Sequence, residues 1–350
     1  MRTIMPNTEE TIIQHRQADG VNARLVGAFT ALPALIEQFD VDPALVFSIA
    51  GVDRTTFIQA TNFVLYEDLA NLLHEASRQT NCPHFGFLAG RLWQVSDLGL
   101  IGNLMLNSPT IGSALQELEL HQYLNSQGAV VYLLQREDSV DLGFAMYASF
   151  EPKMHHVHDA AMAAGRNFLN ELCDGQMPLS DVYLSHSRPD DIEPYRRFFR
   201  APLHFNSPLC ALRISKNLLK KPIKGAQPEL LEICRKQIKA LGRASPVEMA
   251  SRSLRTLLLL GNASGEQVAR SLAMHRRTLN RRLANEGVSF QEVLDKVRFA
   301  IATDLLKESN IKTSRISEAT GYSDPPSFVR AFKKWSGLTP SQWRQRARAG

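Results

Sequence analysis

From Ser264 onward one physical plan is written twice: a short helix with apolar periodicity, a tight turn, and a second helix heavy with cations. In the first copy, Ser264-Gly265-Glu266-Gln267 has the form of a capping box, and the helix that it opens would bury Val268 and Leu272. Met274-His275 supplies the turn, and Arg276–Glu286 the second helix, closed by Gly287. The second copy takes Thr313 or Ser314 as its cap, runs through Ile316 and Ala319, turns at Gly321-Tyr322-Ser323 and restarts at Asp324-Pro325-Pro326. Proline is tolerated there because the first-turn N–H groups of a helix have no intrahelical acceptor. Phe328, Phe332 and Trp335 then mark a buried stripe. No strand pattern interrupts this region, so it is expected to be all α.

The faces of the two basic helices differ in kind. Leu279 and Leu283 are four residues apart and must face the preceding helix, since a period of 3.6 stacks positions i and i+4. At roughly 100° per residue, Arg277 and Arg281 project from the far side with Thr278 and Asn280 beside them. Arginine pairs bidentately with guanine and asparagine with adenine in a major groove, so these four are base-reading candidates; Arg276 and Arg282, nearer the edges, suit phosphates. In the second copy Ser327 and Arg330 are the base-reading candidates, and Lys333 and Lys334 the phosphate candidates. Between the copies, Phe290–Glu308 places Val293, Val297, Ile301 and Leu305 at four-residue steps. Such a helix would be roughly 28 Å long, near the ~34 Å of one duplex turn.

Charge is divided in the same sense. The whole chain is +5, but residues 1–215 hold 14 Lys+Arg against 24 Asp+Glu, and residues 216–350 hold 26 against 11. A basic excess confined to one region is what a part that meets a polyanion requires.

Before that region the pattern is mixed. Leu25–Phe39 and Tyr66–Thr80 read as amphipathic helices, the latter with Leu69, Leu72, Leu73 and Ala76 in register. Val130–Leu134 and Val140–Met146 read as a hairpin, with further strands at Val182–His186, Leu203–Phe205 and Ala211–Ile214 and a helix over His156–Leu172. Lys216–Gly225, with four lysines and Pro222, reads as a linker; a helix over Glu229–Leu241 would bridge onward to a capping box at Ser245-Pro246-Val247-Glu248.

The run from Gly321-Tyr322-Ser323-Asp324 through Phe328-Val329-Arg330-Ala331-Phe332-Lys333-Lys334 to Gly337-Leu338-Thr339-Pro340-Ser341-Gln342-Trp343-Arg344 resembles the signature of the AraC/XylS family of transcription regulators. Arg276–Leu283 resembles the family's first recognition helix. His275, where the family commonly has a capping serine, and Pro325-Pro326 depart from the pattern. Asp97-Leu98-Gly99-Leu100-Ile101-Gly102 and Tyr195-Arg196-Arg197-Phe198-Phe199 resemble the effector domain of the branch that includes ornithine and virulence regulators. The resemblance implies a sequence-specific regulator, activator or repressor, responding to a small-molecule effector. Its implied partners are double-stranded promoter DNA, RNA polymerase and a second copy of the chain. The expected fold is an α+β N-terminal effector domain followed by an all-α module with two helix-turn-helix units joined by a long helix. The expected divisions are a polar lead over 1–22, an effector-binding and dimerisation domain over 23–215, a basic linker and helix over 216–244, and the DNA-binding domain over 245–350.

Other chemistries leave weaker traces. His155 and His158, or His155 and Asp159, share a helix face and could ligate a metal; the plainer reading is that they open a helix with Asp159 in its first turn. A metal-dependent enzyme centred there is one alternative, a non-specific architectural DNA-binding protein the other. Phe85, Phe87 and Trp93 could line an effector pocket but read more simply as core. Cys82, Cys173, Cys210 and Cys234 form no Cys-x-x-Cys pair and read as buried small hydrophobes. Ser185-His186-Ser187 is not by itself a catalytic arrangement, and no phosphate loop, nucleophile elbow or zinc-protease motif is present. No catalytic residue, metal or cofactor is therefore expected, and the absence of an apolar span or secretory signal points to a cytoplasmic protein without a membrane partner.

Overall fold

Strands give way to helices about two-thirds of the way along the chain, and two compact units divide near the same point. The computed structural model describes residues 23–349 apart from 127, 147–151, 208, 241–244, 260, 262, 273 and 309–311; the polar lead expected over 1–22 lies outside the described residues. The first unit is built on the described residues of 1–145 and 152–241, the second on those of 242–350.

The first unit opens with β1 (Ala23–Leu25), a 3₁₀ turn (Gly27–Ala31), α1 (Leu32–Glu37) and α2 (Pro43–Ala50). The single helix expected over Leu25–Phe39 is thus broken. Gly27 takes φ +53°, and a Cβ there would sit 2.2 Å from Cη2 of Trp93, so the ring packs where a helical side chain would stand. β2 (Phe63–Leu65) pairs antiparallel with β1 and leads into α3 (Tyr66–Gln79), whose Leu69, Leu72, Leu73 and Ala76 are fully buried as their spacing predicts. α4 (Phe85–Gly90), α5 (Leu100–Asn107) and α6 (Ile111–His121) follow.

β3 (Ala129–Gln135) and β4 (Ser139–Met146) form the expected hairpin, closed by Arg136 N–H donating to Ser139 O at 2.9 Å. With β5 (Asp181–Tyr183), β6 (Leu203–His204) and β7 (Cys210–Ser215) they make a five-stranded sheet ordered β3-β4-β7-β5-β6. α7 (His155–Leu172) and α8 (Glu193–Phe199) complete the alternation. α7 crosses α4 at backbone contact. A Cβ on Gly86 would lie 2.3 Å from His156 O, and one on Gly90 2.2 Å from Ala160 O, so two glycines four apart set this approach. Where β4 and β7 pair, Asp141 stands opposite Arg213, whose Nε and Nη2 donate to the carboxylate at 2.7 and 3.1 Å; Arg136 Nε adds a bond of 2.9 Å.

Residues 216–240 are held on this first unit. Ile111 N–H donates to Lys221 O at 3.0 Å, Lys221 Nζ reaches Cys173 O at 3.2 Å, and Lys224 pairs with Asp174 at 3.0 Å. A short helix, α9 (Lys216–Leu219), occupies the start of the segment expected as a linker. α10 (Pro228–Ala240) buries Leu231 and Cys234 against Leu104, and Arg235 bonds Glu117 at 2.8 Å. In sequence these lysines look like a solvated connection because their anchors lie far away along the chain.

The second unit is helical: α11 (Pro246–Leu259), α12 (Gly265–Ser271), α13 (Arg276–Asn285), α14 (Phe290–Glu308), α15 (Thr313–Ala319), α16 (Pro325–Ser336) and α17 (Pro340–Ala349). Ser245 and Glu248 form the reciprocal box before α11, at 2.9 and 3.2 Å. No helix among the described residues is long and apolar enough to cross a membrane.

Candidate nucleic-acid interface and effector cavity

In the second unit the cores of the two helix pairs are set by few side chains. Ser264 Oγ accepts Gln267 N–H at 3.2 Å to start α12, which buries Val268 completely and Leu272 partly. Leu279 and Leu283 of α13 are buried beneath it. His275 precedes α13 without a side-chain cap. Opposite the leucines, Arg277, Asn280, Arg281 and Arg282 are exposed and Thr278 half-buried, and none has a side-chain partner among the described residues. Arg276 differs: it forms an ion pair with Glu266 of α12, and its guanidinium holds that carboxyl below the usual carboxylate range.

The second pair is organised around Asp324. Its Oδ1 accepts Ser327 N–H at 2.7 Å, holding the carboxyl below its ordinary value, and its Oδ2 accepts Ser327 Oγ–H at 2.8 Å. Arg330 Nη2 in turn donates to Ser327 Oγ at 3.0 Å. Both base-reading candidates of α16 are thereby tied to its cap, while Lys333 and Lys334 are exposed in the last turn. α15 starts after Lys312, so Thr313 and Ser314 lie inside the helix instead of capping it. Phe328 and Phe332 are fully buried; Trp335 and Ala319 are only partly so.

Sequence reasoning missed what fixes this second pair. Arg298, in the row of α14 that otherwise holds the buried Leu294, Ala302 and Leu306, donates to Thr320 O at 2.9 Å and Gly321 O at 3.2 Å and lies 4.5 Å from the Tyr322 ring centre. The turn between α15 and α16 is therefore pinned to the 19-residue helix. A cation interrupting an apolar stripe was the available signal.

In the first unit a cavity of about 100 Å³ lies among residues that include Arg24, Phe29, Tyr66, Trp93, Leu142 and Phe168. Its lining is largely apolar. Of the three aromatic residues considered from sequence, Trp93 lines this cavity, whereas Phe87 packs on Tyr195, Phe198 and Phe199 and Phe85 on Phe39. Tyr66 Oη shares a hydrogen bond with Ser126 Oγ at 2.8 Å. Burial raises the Tyr66 phenol despite the nearby Arg24 charge.

The histidine cluster is a closed polar core. Asp159 accepts from His186 Nε2 at 2.9 Å and Tyr195 Oη at 2.6 Å. Burial alone would lift its carboxyl, but these bonds outweigh burial and hold it down; on His186 burial is likewise outweighed, by the Asp159 bond, and its pKa is raised. His158 Nδ1 lies 3.3 Å from Ser185 Oγ, which accepts Cys210 Sγ–H at 3.2 Å. Burial brings His156 to about 3 and His158 to about 4, and lifts the Cys210 thiol to about 11. α7 begins at His155, so Asp159 lies beyond its first turn. No group of three or more metal-ligating side chains is arranged to hold an ion among the described residues. The four cysteines are buried and unpaired by disulfides.

Comparison with known proteins agrees with this division. Residues 41–223 match the model of the arabinose-binding N-terminal domain of the AraC transcription regulator, and residues 268–346 match a helix-turn-helix domain. The chain is 26% identical to the ornithine utilization regulator of Pseudomonas aeruginosa, covering 90% of this chain and 94% of that protein. It is 24% identical to the transcriptional regulator VirS of Mycobacterium tuberculosis, covering 88% and 89%. A solved structure, the regulator CdpR from Pseudomonas aeruginosa, matches at 25% identity and TM-score 0.38 over 74% of this chain and 86% of that one. With more than half of its length in the arabinose-binding domain and a helix-turn-helix domain behind it, the chain belongs to the AraC family of transcription regulators.

Proposed function

We propose that α12/α13 and α15/α16 are two helix-turn-helix units joined by α14, with α13 and α16 entering successive major grooves of a promoter. Arg277, Thr278, Asn280 and Arg281 read bases from α13, and Ser327 and Arg330 from α16. Arg276, Arg282, Lys333 and Lys334 hold phosphates. The observation that carries this reading is the exposed Arg277, Asn280 and Arg281 face of α13, opposite the buried Leu279 and Leu283. A donor-rich face supported from below by a packed one is what direct readout needs.

The N-terminal domain takes a small-molecule effector in its cavity, and occupancy changes how fully the promoter is bound. A second copy of the chain and RNA polymerase are the further partners. Genomic fragments retained by the protein supply the promoter. Arg281→Ala should weaken binding to it by about 1–3 kcal/mol and relax preference at one base position. A footprint identical to the parent's in both Arg277→Ala and Arg281→Ala removes α13 from the reading. Equal affinity for promoter and random duplex at physiological salt would instead make the protein a non-specific binder.

A further inference from the structure

The cavity in the first unit contains one cation and no anion. Among the residues that line it, Arg24 is the only one with a formal charge. Its Nε donates to Leu25 O at 3.1 Å, and its guanidinium lies 4.6 Å from the Trp93 ring centre and 4.9 Å from that of Phe29. No ion pair among the described residues involves it, and no hydrogen bond there engages either Nη. Burial draws its pKa below the ordinary arginine value, and no neighbouring carboxylate opposes that. The two rings, set edge to face at 76°, flank the guanidinium, and neither Nη meets an acceptor among the described residues. A charge in low-dielectric surroundings is costly until it is paired, so this site favours an anion.

The other polar groups narrow the choice. Gln122 is committed at both ends: Nε2 donates to Glu119 O and Val131 O at 2.9 and 2.7 Å, and Oε1 accepts Val131 N–H. Tyr66 and Ser126 are bonded to each other. Beside the fork, only the Trp93 Nε1–H, buried without an acceptor among the described residues, and the Asn125 amide remain for a ligand, too few partners for the several hydroxyls of a polyol. A phosphate dianion would need more than one cation. A monocarboxylate needs one planar fork, and its body would meet the aromatic and aliphatic wall.

We infer that the effector is a small monocarboxylate with an apolar or aromatic body, anchored bidentately by Arg24 and enclosed by Phe29, Trp93 and Phe168. The inference rests on the effector-regulated reading above and names the chemistry of its ligand. Room for the body comes from Ala160, Ala161 and Ala164 in the wall, which carry no side chain beyond Cβ; the space beside Gly143 and Gly165 is already filled, by the Tyr132 ring and by Leu212.

The test is titration calorimetry on the full chain with hexanoate and phenylacetate against hexanamide, phenylacetamide and L-arabinose. The carboxylates should bind at least about tenfold more tightly than the isosteric amides, the margin of a charge-assisted pair over a neutral one. That margin should vanish in Arg24→Met and survive in part in Arg24→Lys; Ala161→Leu, which fills the wall, should weaken acids and amides alike. Should Arg24→Met fail to fold, the acid-to-amide ratio of the parent decides alone. Equal binding of acids and amides overturns the inference, as does binding of L-arabinose alone, binding of none, or an acid preference that persists in Arg24→Met. A promoter footprint on the same preparation separates the two readings: an intact footprint without carboxylate binding removes only the ligand class, whereas a lost footprint strikes the DNA-reading assignment.

Discussion

In the first unit Asp159, Asp141, His156 and His158 lie inside, three of them on named hydrogen-bond partners, whereas on α13 Arg277, Arg281 and Arg282 stand in solvent over two buried leucines. The two regions place ionisable groups under opposite physical rules. Inside, a charge must be matched or neutralised, and its loss is felt as stability. Outside, water screens it, so its loss is felt only by a partner that displaces the water. Substitutions of similar size should therefore unfold one unit and leave the other folded but unable to bind.

The largest effect belongs to Asp159. Asp159→Ala leaves the raised His186 and the Tyr195 hydroxyl without their acceptor, and should cost about 3–5 kcal/mol, as breaking one side of a buried pair does. Urea unfolding followed by a probe in the first unit measures it. A loss below about 1 kcal/mol would mean that the interior charge is as screened as a surface one, and the contrast would fail.

Acid tests the same interior without mutation. His156 and His158 are held neutral, near 3 and 4, while the unfolded chain takes up protons near pH 6.5. Their contribution is complete above pH 6.5 and is lost as pH falls toward 4; by pH 5 each should cost about 2 kcal/mol. His186 runs the other way, because its raised pKa adds stability below the unfolded value and loses it as pH rises through the folded one. Burial also lowers His74 and His84, so His186 stands alone against four; the thermal midpoint of the first unit should drop between pH 7 and 5, and His158→Gln should flatten the drop. An unchanged midpoint over that range would place these imidazoles in water.

How much of this was readable from sequence follows the same contrast. The α13 face, the caps at Ser245 and Asp324 and the α3 stripe depend on residues within four positions of one another, and periodicity finds them. Asp159 meets His186 and Tyr195 27 and 36 positions away, and Asp141 meets Arg213 at 72. No local pattern announces such pairs. Arg24 is invisible for a related reason: its meaning lies in the lack of an acidic partner among the described residues. The segment over 216–225 reads as a linker in sequence because its lysines look solvated until Cys173 and Asp174 are brought to them.

Within the second unit the comparison sharpens between α13 and α16. Arg281 has no side-chain partner among the described residues, while Arg330 must leave Ser327 Oγ to reach a base. Arg281→Ala should thus cost about 1–3 kcal/mol of promoter affinity, and Arg330→Ala should fall at the lower end of that range or beneath it. Ser327→Ala supplies the check, since it releases Arg330 while weakening the α16 cap. Competition binding against the parent reads all three. If Arg330→Ala costs more than Arg281→Ala, the tether to Ser327 does not hold Arg330 back and α16 is the principal reader.

The smallest effect distinguishes two arginines on one helix. Arg282 is exposed without a side-chain partner among the described residues, whereas Arg276 is bound to Glu266. An unpaired arginine on a phosphate releases about one condensed counterion, so Arg282→Ala should reduce the slope of log affinity against log salt by about 0.9. An Arg276 that met a phosphate would bring the Glu266 carboxylate with it. The positive charge that it offers a phosphate is already largely compensated, and Glu266 must be pulled away or tolerated beside the backbone. Arg276→Ala should therefore change the slope by less, and Glu266→Gln should raise affinity at low salt by releasing Arg276. Equal slope changes for Arg276→Ala and Arg282→Ala would show that the Glu266 pair dissolves on DNA, and that even an ion-paired surface cation is available to a polyanion.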